Sequence, residues 1–291
     1  LAQAGSVATQ PVSAQASDAP SASASAPDEA TADKTGDKPD APGSDWTDFR
    51  GPNRDGRYTA TPVLTTWPRE GLPQLWKQPV GGGYASFVVA GGRAFTIEQR
   101  RSQEVVAAYD VQNGRAVWTN GWDANFQESM GGDGPRATPT FHQGRIYALG
   151  AEGELRVLDA GSGALVWRRN ILTDNGASNL AWGMSASPLI VDDKVIVLPG
   201  GSRASSVVAY SKGTGDVVWR SQDDEQGYTS PMLVTLGGVR QILVVSASRA
   251  MGLSVDTGRL LWEHPWSTFN GINVSQPIVF AHNGNDRVFL S

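Results

Sequence analysis

The side chains best suited to chemistry stand in the longer polar connections of the chain: Tyr84, Glu98, Trp122, Arg136, Trp182, Tyr228 and Asn273. Aromatic faces beside arginine, carboxylate and amide groups suit a ligand held by stacking and hydrogen bonds. A catalytic constellation is harder to assemble. The three histidines, His142, His264 and His282, are scattered over turns with none at ligand spacing, and read as surface residues rather than bases or metal ligands. Gly183-Met184-Ser185-Ala186-Ser187 is not a nucleophile elbow, and Gly81-Gly82-Gly83 lacks the further glycine and helix of a phosphate loop. Asp123-x-Asn125-x-Gln127 opens like a calcium loop, but Ser129 and Gly134 stand where ligands should continue. No catalytic residue and no metal ligand is therefore assigned, and the reading leans away from an enzyme.

What must position these residues is a repeat. Gly-x-x-x-Trp recurs at Gly114–Trp118, Gly163–Trp167, Gly215–Trp219 and Gly258–Trp262, with steps of 49, 52 and 43 residues between tryptophans. Trp76, without the matching glycine, lies 42 residues before Trp118. Steps of this size suit a four-stranded propeller blade. Asp110 and Asp159 stand four residues before their glycines, with Ser211 and Ser254 in the third and fourth units. A side-chain oxygen there can accept from the turn's backbone, while glycine supplies the positive φ that closes the hairpin. The tryptophan is expected to end the outer strand and to pack on the neighbouring blade.

A second landmark precedes each unit: Ala137-Thr138-Pro139, Ala186-Ser187-Pro188, Thr229-Ser230-Pro231 and Ser275-Gln276-Pro277, with Ala85-Ser86-Phe87 as a variant. Proline is tolerated at a strand mouth because the first residue need not donate to the ladder. The order within a unit becomes strand A, turn, strand B, loop, strand C, Asp/Gly turn, strand D. The spacing predicts an all-β propeller with complete blades at about 85–119, 137–168, 186–220 and 229–263 and a partial one at 275–291.

The Asp-x-x-x-Gly-x-x-x-Trp repeat with its upstream Ser/Thr-Pro resembles the PQQ-like β-propeller repeat over about residues 46–291. That repeat is shared by quinoprotein alcohol dehydrogenases, the BamB outer-membrane assembly factor and many uncharacterised bacterial exported proteins. The opening Trp46-Thr47-Asp48-Phe49-Arg50-Gly51-Pro52-Asn53-Arg54-Asp55-Gly56 most resembles the uncharacterised group. The resemblance implies seven or eight blades in the intact protein. About four and a half are present here, and the chain, which starts at Leu1 and stops in the apolar run Val288-Phe289-Leu290, reads as a fragment. Trp76 would then belong to the outer strand of the last blade.

Topology sorts the loops. Strands within a blade are antiparallel, so A–B and C–D turns share one face, and B–C and D–A loops share the other. The second face carries the longer connections and hence the ligand-binding candidates. Tyr84, Arg136, Trp182, Tyr228 and Asn273 precede strand A and are expected at the channel mouth, with Trp122 in the loop 119–136 and Glu98 in a B–C loop.

Composition narrows the partners. Residues 1–45 hold seven acids and two lysines, and the rest balances at 22 of each sign, so no basic field for nucleic acid exists. No apolar run approaches the roughly 20 residues of a membrane helix. The first 45 residues, rich in Ala, Ser, Pro and Asp, are expected to be a disordered linker. Ala2-Gln3-Ala4 fits a signal-peptidase site, although Ala14-Gln15-Ala16 in the same alanine-rich tail matches equally well. The acidic Ala/Ser/Pro tail that follows suits an exported linker, and a periplasmic or otherwise exported protein is expected. Three functions follow. The first is a non-catalytic exported scaffold, monomeric when complete, binding a protein or glycan partner and needing no cofactor. The assembly factor is a cysteine-anchored lipoprotein and this segment has no cysteine, so its residues support neither anchoring nor a role in outer-membrane assembly as such. The second is a PQQ- and calcium-dependent alcohol dehydrogenase. The resemblance implies calcium held by oxygens, here from Glu98, Glu128, Asn125 or Asn179, and a quinone clamped by Trp122 or Trp182. The adjacent cysteine pair found in many such enzymes is missing. The third is carbohydrate binding through Trp122, Trp182 and Trp266.

Overall fold

The middle strands of the repeat carry consecutive apolar residues at their centres, as in Val105-Val106-Ala107-Ala108-Tyr109, so both faces must be covered. In the computed structural model, which describes residues 45–291, this is achieved by stacking small sheets side by side. The first sheet contains β1 (Val88–Ala90), β2 (Arg93–Arg100), β3 (Gln103–Asp110) and β4 (Ala116–Asp123). The second contains β5 (Thr140–His142), β6 (Arg145–Leu149), β7 (Glu154–Asp159) and β8 (Leu165–Asn170). The third holds β9 (Leu189–Val191), β10 (Lys194–Val197), β11 (Val207–Ser211) and β12 (Val217–Ser221). The fourth holds β13 (Met232–Leu236), β14 (Val239–Val245), β15 (Arg249–Ser254) and β16 (Leu260–Pro265). A hairpin of β17 (Ile278–His282) and β18 (Asn285–Phe289) follows. All are antiparallel meanders in chain order, the A–B–C–D blade that the repeat implies. The fold is a β-propeller of four-stranded blades.

The core lies between the sheets. Phe95, Ile97, Val106 and Ala108 of the first meet Ile146, Ala148 and Leu158 of the second. Tyr147, Leu155 and Val157 of the second meet Val195, Val208 and Tyr210 of the third. Ile196, Leu198 and Ala209 of the third meet Ile242, Val244 and Met251 of the fourth.

The recurring Asp, Gly and Trp set the spacing of these layers. Asp110 Oδ1 accepts the N–H groups of Gln112 and Asn113, and Asp159 Oδ1 accepts that of Ser162. Each turn then closes on a glycine with φ near +70°, at Gly114, Gly163, Gly215 and Gly258. The glycine answers a second demand. A Cβ on Gly163 would fall 2.6 Å from the Trp118 ring, one on Gly215 2.7 Å from Trp167, and one on Gly258 2.6 Å from Trp219. The indole of one blade thus lies flat on the turn of the next, and its Nε1 donates to a carbonyl there: Trp118 to Ala160 (3.0 Å), Trp167 to Lys212 (3.1 Å), Trp219 to Val255 (3.2 Å). Trp76 makes the same contact with Gly114 and Val111, as the outer strand of a preceding blade would, although its neighbours form no strand. Trp262 has no such turn to meet among the described residues and donates to Gln241 of its own sheet.

The polar side chain before the proline is a second stitch at three of the four seams, Ser187 Oγ before Pro188 having no partner. The N–H of Ser86 donates to Thr138 Oγ1 (3.0 Å), that of Ser187 to Ser230 Oγ (2.9 Å), and that of Ser230 to Gln276 Oε1 (3.1 Å). Proline explains why the strand starts there, while the hydroxyl or amide beside it joins one blade to the next.

Three local expectations change. Each tryptophan stands near the start of its outer strand rather than the end, because β4, β8 and β12 continue past it. Arg101 and Ser102 alone connect β2 to β3, so Glu98, Gln99 and Arg100 are strand residues. His142 closes β5, an inner strand, beside Lys212 at 3.3 Å. The expected linker at residues 1–45 lies, apart from Asp45, outside the described residues.

The indole-on-glycine contact can be tested by comparison within one chain. Trp167→Ala should cost about 3–5 kcal/mol in a denaturant titration. Trp67→Ala, whose ring is 63% exposed, should cost less than half as much.

Candidate functional site

The loops that precede strand A in successive blades converge, and the structure brings together four of the seven expected binding residues. Arg136 is central. Its guanidinium lies 4.6 Å from the ring centre of Phe126 and 5.5 Å from that of Tyr84, and its N–H groups donate to the carbonyls of Gly132 and Gly134. Tyr84 is tied to the same loop through its N–H to Pro135 O, 2.8 Å. Its hydroxyl would lie 2.9 Å from a Cβ on Gly132, so that glycine is required by the approach of the ring. Trp182 and Tyr228 form a tilted pair, with centroids 5.6 Å apart, and a Cβ on Gly131 would lie 3.8 Å from the indole. The result is one surface made by three blades, with Tyr84 64% and Met130 83% exposed.

Glu128 organises the turn beneath. Its carboxylate accepts from the N–H groups of Met130 and Gly131, which hold its pKa below the usual carboxylate range, and Arg136 adds to this. Burial lowers the Arg136 pKa and raises that of the Tyr228 phenol, while Glu128 favours the charged form of Arg136. These groups bind and orient one another; none is a nucleophile paired with a base.

The other three expected residues sit elsewhere. Glu98 is 3% exposed, and its carboxylate accepts from the Tyr109 hydroxyl (2.9 Å), Arg100 Nη2 (2.6 Å) and the Gly81 N–H. Trp122 belongs to β4, which outruns the expected strand because it pairs with β3 as far as Gln103; the ring is 9% exposed, 4.5 Å below the Arg156 guanidinium. Asn273 is also buried, but its carbonyl accepts the Tyr228 N–H at 2.8 Å, so it supports the surface from behind. Phe126, the ring under Arg136, was not expected, because a phenylalanine in a loop reads as ordinary core. Glu128 was expected only as a candidate calcium ligand, and the glycines after it only as loop.

A calcium ion with a quinone beside it needs several oxygens aimed at one point. Glu98 is fully engaged, Glu128 caps its turn, Asn125 Oδ1 accepts from Gln99 (3.2 Å) and Asn179 Nδ2 donates to Ala151 O (3.0 Å). Among the described residues no three His, Asp or Glu side chains converge. The residues proposed as ligands do not fit that group.

One buried acid beside this region has a consequence for stability. Glu104, paired across the ladder with Trp122, reaches into the second sheet, where one oxygen accepts the Ala151 N–H at 2.8 Å and the other has no partner. Burial raises its pKa from 4.5 to about 7, with the Ala151 N–H opposing the shift and Glu152 assisting it. The folded state therefore holds the proton more tightly than the unfolded one. The resulting stabilisation is complete below about pH 4.5, falls as pH rises through 7 and is absent above. Glu104→Gln should remove that component of the fall in melting temperature between pH 5 and 8, and should melt higher than the wild type at pH 8.

Comparison with known proteins agrees with the fold. A family model described as outer membrane protein assembly factor BamB matches residues 58–181 and, overlapping, 101–291. The BamB of Burkholderia pseudomallei is 23% identical over 281 residues, covering 82% of this chain and 70% of the relative. The quinoprotein ethanol dehydrogenase of Pseudomonas aeruginosa is 28% identical over 162 residues, covering 51% and 25%. The 1-butanol dehydrogenase (cytochrome c) of Thauera butanivorans is 24% identical over 169 residues, 56% of this chain and 23% of the enzyme, so the chain spans about a quarter of the dehydrogenases it matches. The solved quinohemoprotein alcohol dehydrogenase of Comamonas testosteroni superposes with a TM-score of 0.52 at 19% identity, over 72% of this chain and 39% of the enzyme, a likeness of fold alone. No helix among the described residues is long and apolar enough to cross a membrane. With its model matched from residue 58 to residue 291, the chain belongs to the BamB-type family of PQQ-like repeat proteins.

Proposed function

We propose that this chain is part of an exported, periplasmic, non-catalytic propeller that works as a binding scaffold, and that its partner, a protein, docks on the surface around Tyr84, Arg136, Trp182 and Tyr228. The observation that carries the reading is a half-buried aromatic and arginine cluster, assembled from three blades, that presents Tyr84 and Met130 at the surface. Aromatic residues and arginine dominate the energetics of protein interfaces, and a surface already held by its own hydrogen bonds loses little freedom on binding. The family match and the assembly-factor relative, covered over 70% of its length, support the same reading. The dehydrogenase relatives leave quinone chemistry as the competing reading. Against it stand the engaged carboxylates and amides described above.

A photo-crosslinking residue at Met130 should give one discrete adduct in cells, and the pair Tyr84→Ala, Trp182→Ala should abolish it. The same probe at Gln112, in a turn on the opposite face, should give none. Equal labelling at both positions, or an adduct indifferent to the two substitutions, would contradict a binding surface at this mouth. Competition of the adduct by free oligosaccharide would replace the protein partner with a glycan.

A further inference from the structure

The segment Trp46–Gly56 precedes the first repeat and is explained by none of the repeat's rules. Trp46 exchanges both backbone hydrogen bonds with Val89 of β1, at 2.7 and 2.9 Å, and Thr47 O accepts the N–H of Phe141 in β5 at 2.8 Å. The chain then turns back on itself through Arg50 and Gly51, both at positive φ. Gly51 has to be glycine, since a Cβ there would lie 2.7 Å from the Trp46 ring. Arg54 follows, a non-glycine residue held at φ 56° and only 2% exposed. A side chain so placed in a sparsely populated backbone region persists only where its surroundings hold it.

The surroundings are the innermost strands of three blades. Arg54 Nη1 donates to Ser187 O (3.1 Å) and Pro231 O (2.9 Å), and Nη2 donates to Thr140 Oγ1 (3.2 Å) and to Pro188 O. Nε and Nη2 both reach Asp48 Oδ1, at 3.2 and 3.1 Å. A buried charge is costly unless paired and fully hydrogen-bonded, and a planar fork of donors is what three convergent carbonyls and a carboxylate can satisfy. Burial lowers the Arg54 pKa, and Asp48 opposes that shift. The contacted oxygens stand at the mouths of β5, β9 and β13, the strand A of each blade, so the guanidinium occupies the centre toward which the sheets converge. Beside it remains a cavity of about 380 Å³, bordered by Asp48, Asn53, His142 and Leu233.

We propose that the mouths of β5, β9 and β13 form a guanidinium-binding site on the propeller axis, filled in cis by Arg54, so that Trp46–Gly56 plugs the channel. The site is independent of the partner surface at the loops: it fixes the inner strands from within and stops any ligand at the mouth from passing along the axis. Thr140 completes it, since its hydroxyl accepts from Arg54 and donates to Pro188 O at 2.7 Å.

The test uses the full-length protein. Arg54→Ala should lower the melting temperature by about 10 °C, the size expected for a buried ion pair that loses one partner. Millimolar ethylguanidinium should recover part of that loss, while ethylammonium at equal ionic strength should recover none. Arg54→Lys should behave like Arg54→Ala, because one ammonium cannot reach the separated carbonyls. An unchanged melting temperature, rescue by both cations or rescue by neither would overturn the assignment. Hydrogen exchange on the wild type needs no variant to fold: the Val89 and Phe141 amides should be protected as strongly as those of β6, and exchange at unprotected rates would show that the segment does not occupy the axis.

Discussion

The architecture depends on one contact, an indole lying on a glycine. The two middle strands of each four-stranded sheet carry apolar residues on both faces, so a sheet by itself would leave both wet, and stacking is obligatory. Stacking alone leaves the angle between sheets open. The tryptophan removes that freedom, because its ring meets a turn that has no Cβ and its N–H finds a carbonyl of the same turn, as at Trp118 on Gly163 and Trp167 on Gly215. The hydrogen bonds at Ser86, Ser187 and Ser230 repeat the constraint near the axis. Outer rim and inner rim are thereby tied by different chemistry: the rim uses an aromatic face, and the centre uses hydroxyls and an amide.

Rigid sheets give the loops fixed starting points. The surface built by Tyr84, Phe126, Arg136, Trp182 and Tyr228 needs three blades at set positions, because no blade contributes more than part of it. Within it the arginine is restrained by Gly132 and Gly134, and those glycines are restrained in turn by the Tyr84 ring and by the backbone of Gly82. Such mutual restraint lowers the entropy lost when a partner binds.

The repeat was legible because its signals are local. Asp110 accepting from its own turn, Gly114 at positive φ and Pro139 at a strand mouth each obey short-range rules that recur at a fixed spacing. The convergence of Tyr84, Arg136, Trp182 and Tyr228 was legible too, once strand order put them before the innermost strand. The failures involve distant contacts. The length of β4 follows from its pairing with β3, which took Trp122 out of the loop. Glu98 was placed on a loop, yet Tyr109, Arg100 and Gly81 claim its carboxylate. The burial of Arg54 had no signal, since apart from Asp48 its partners lie 86 to 177 residues away. A fully satisfied buried arginine looks, in sequence, like any surface arginine.

The central proposal is that this family member binds a protein partner rather than a quinone. It rests on how the oxygen ligands are spent: Glu98 on a tyrosine and an arginine, Glu128 on its own turn, Asn125 on Gln99. Calorimetric titration of the full-length protein with PQQ, with and without calcium, tests this most directly. The account predicts no saturable heat under either condition. Calcium-dependent binding approaching one PQQ per chain would contradict it and make the loop face a cofactor site.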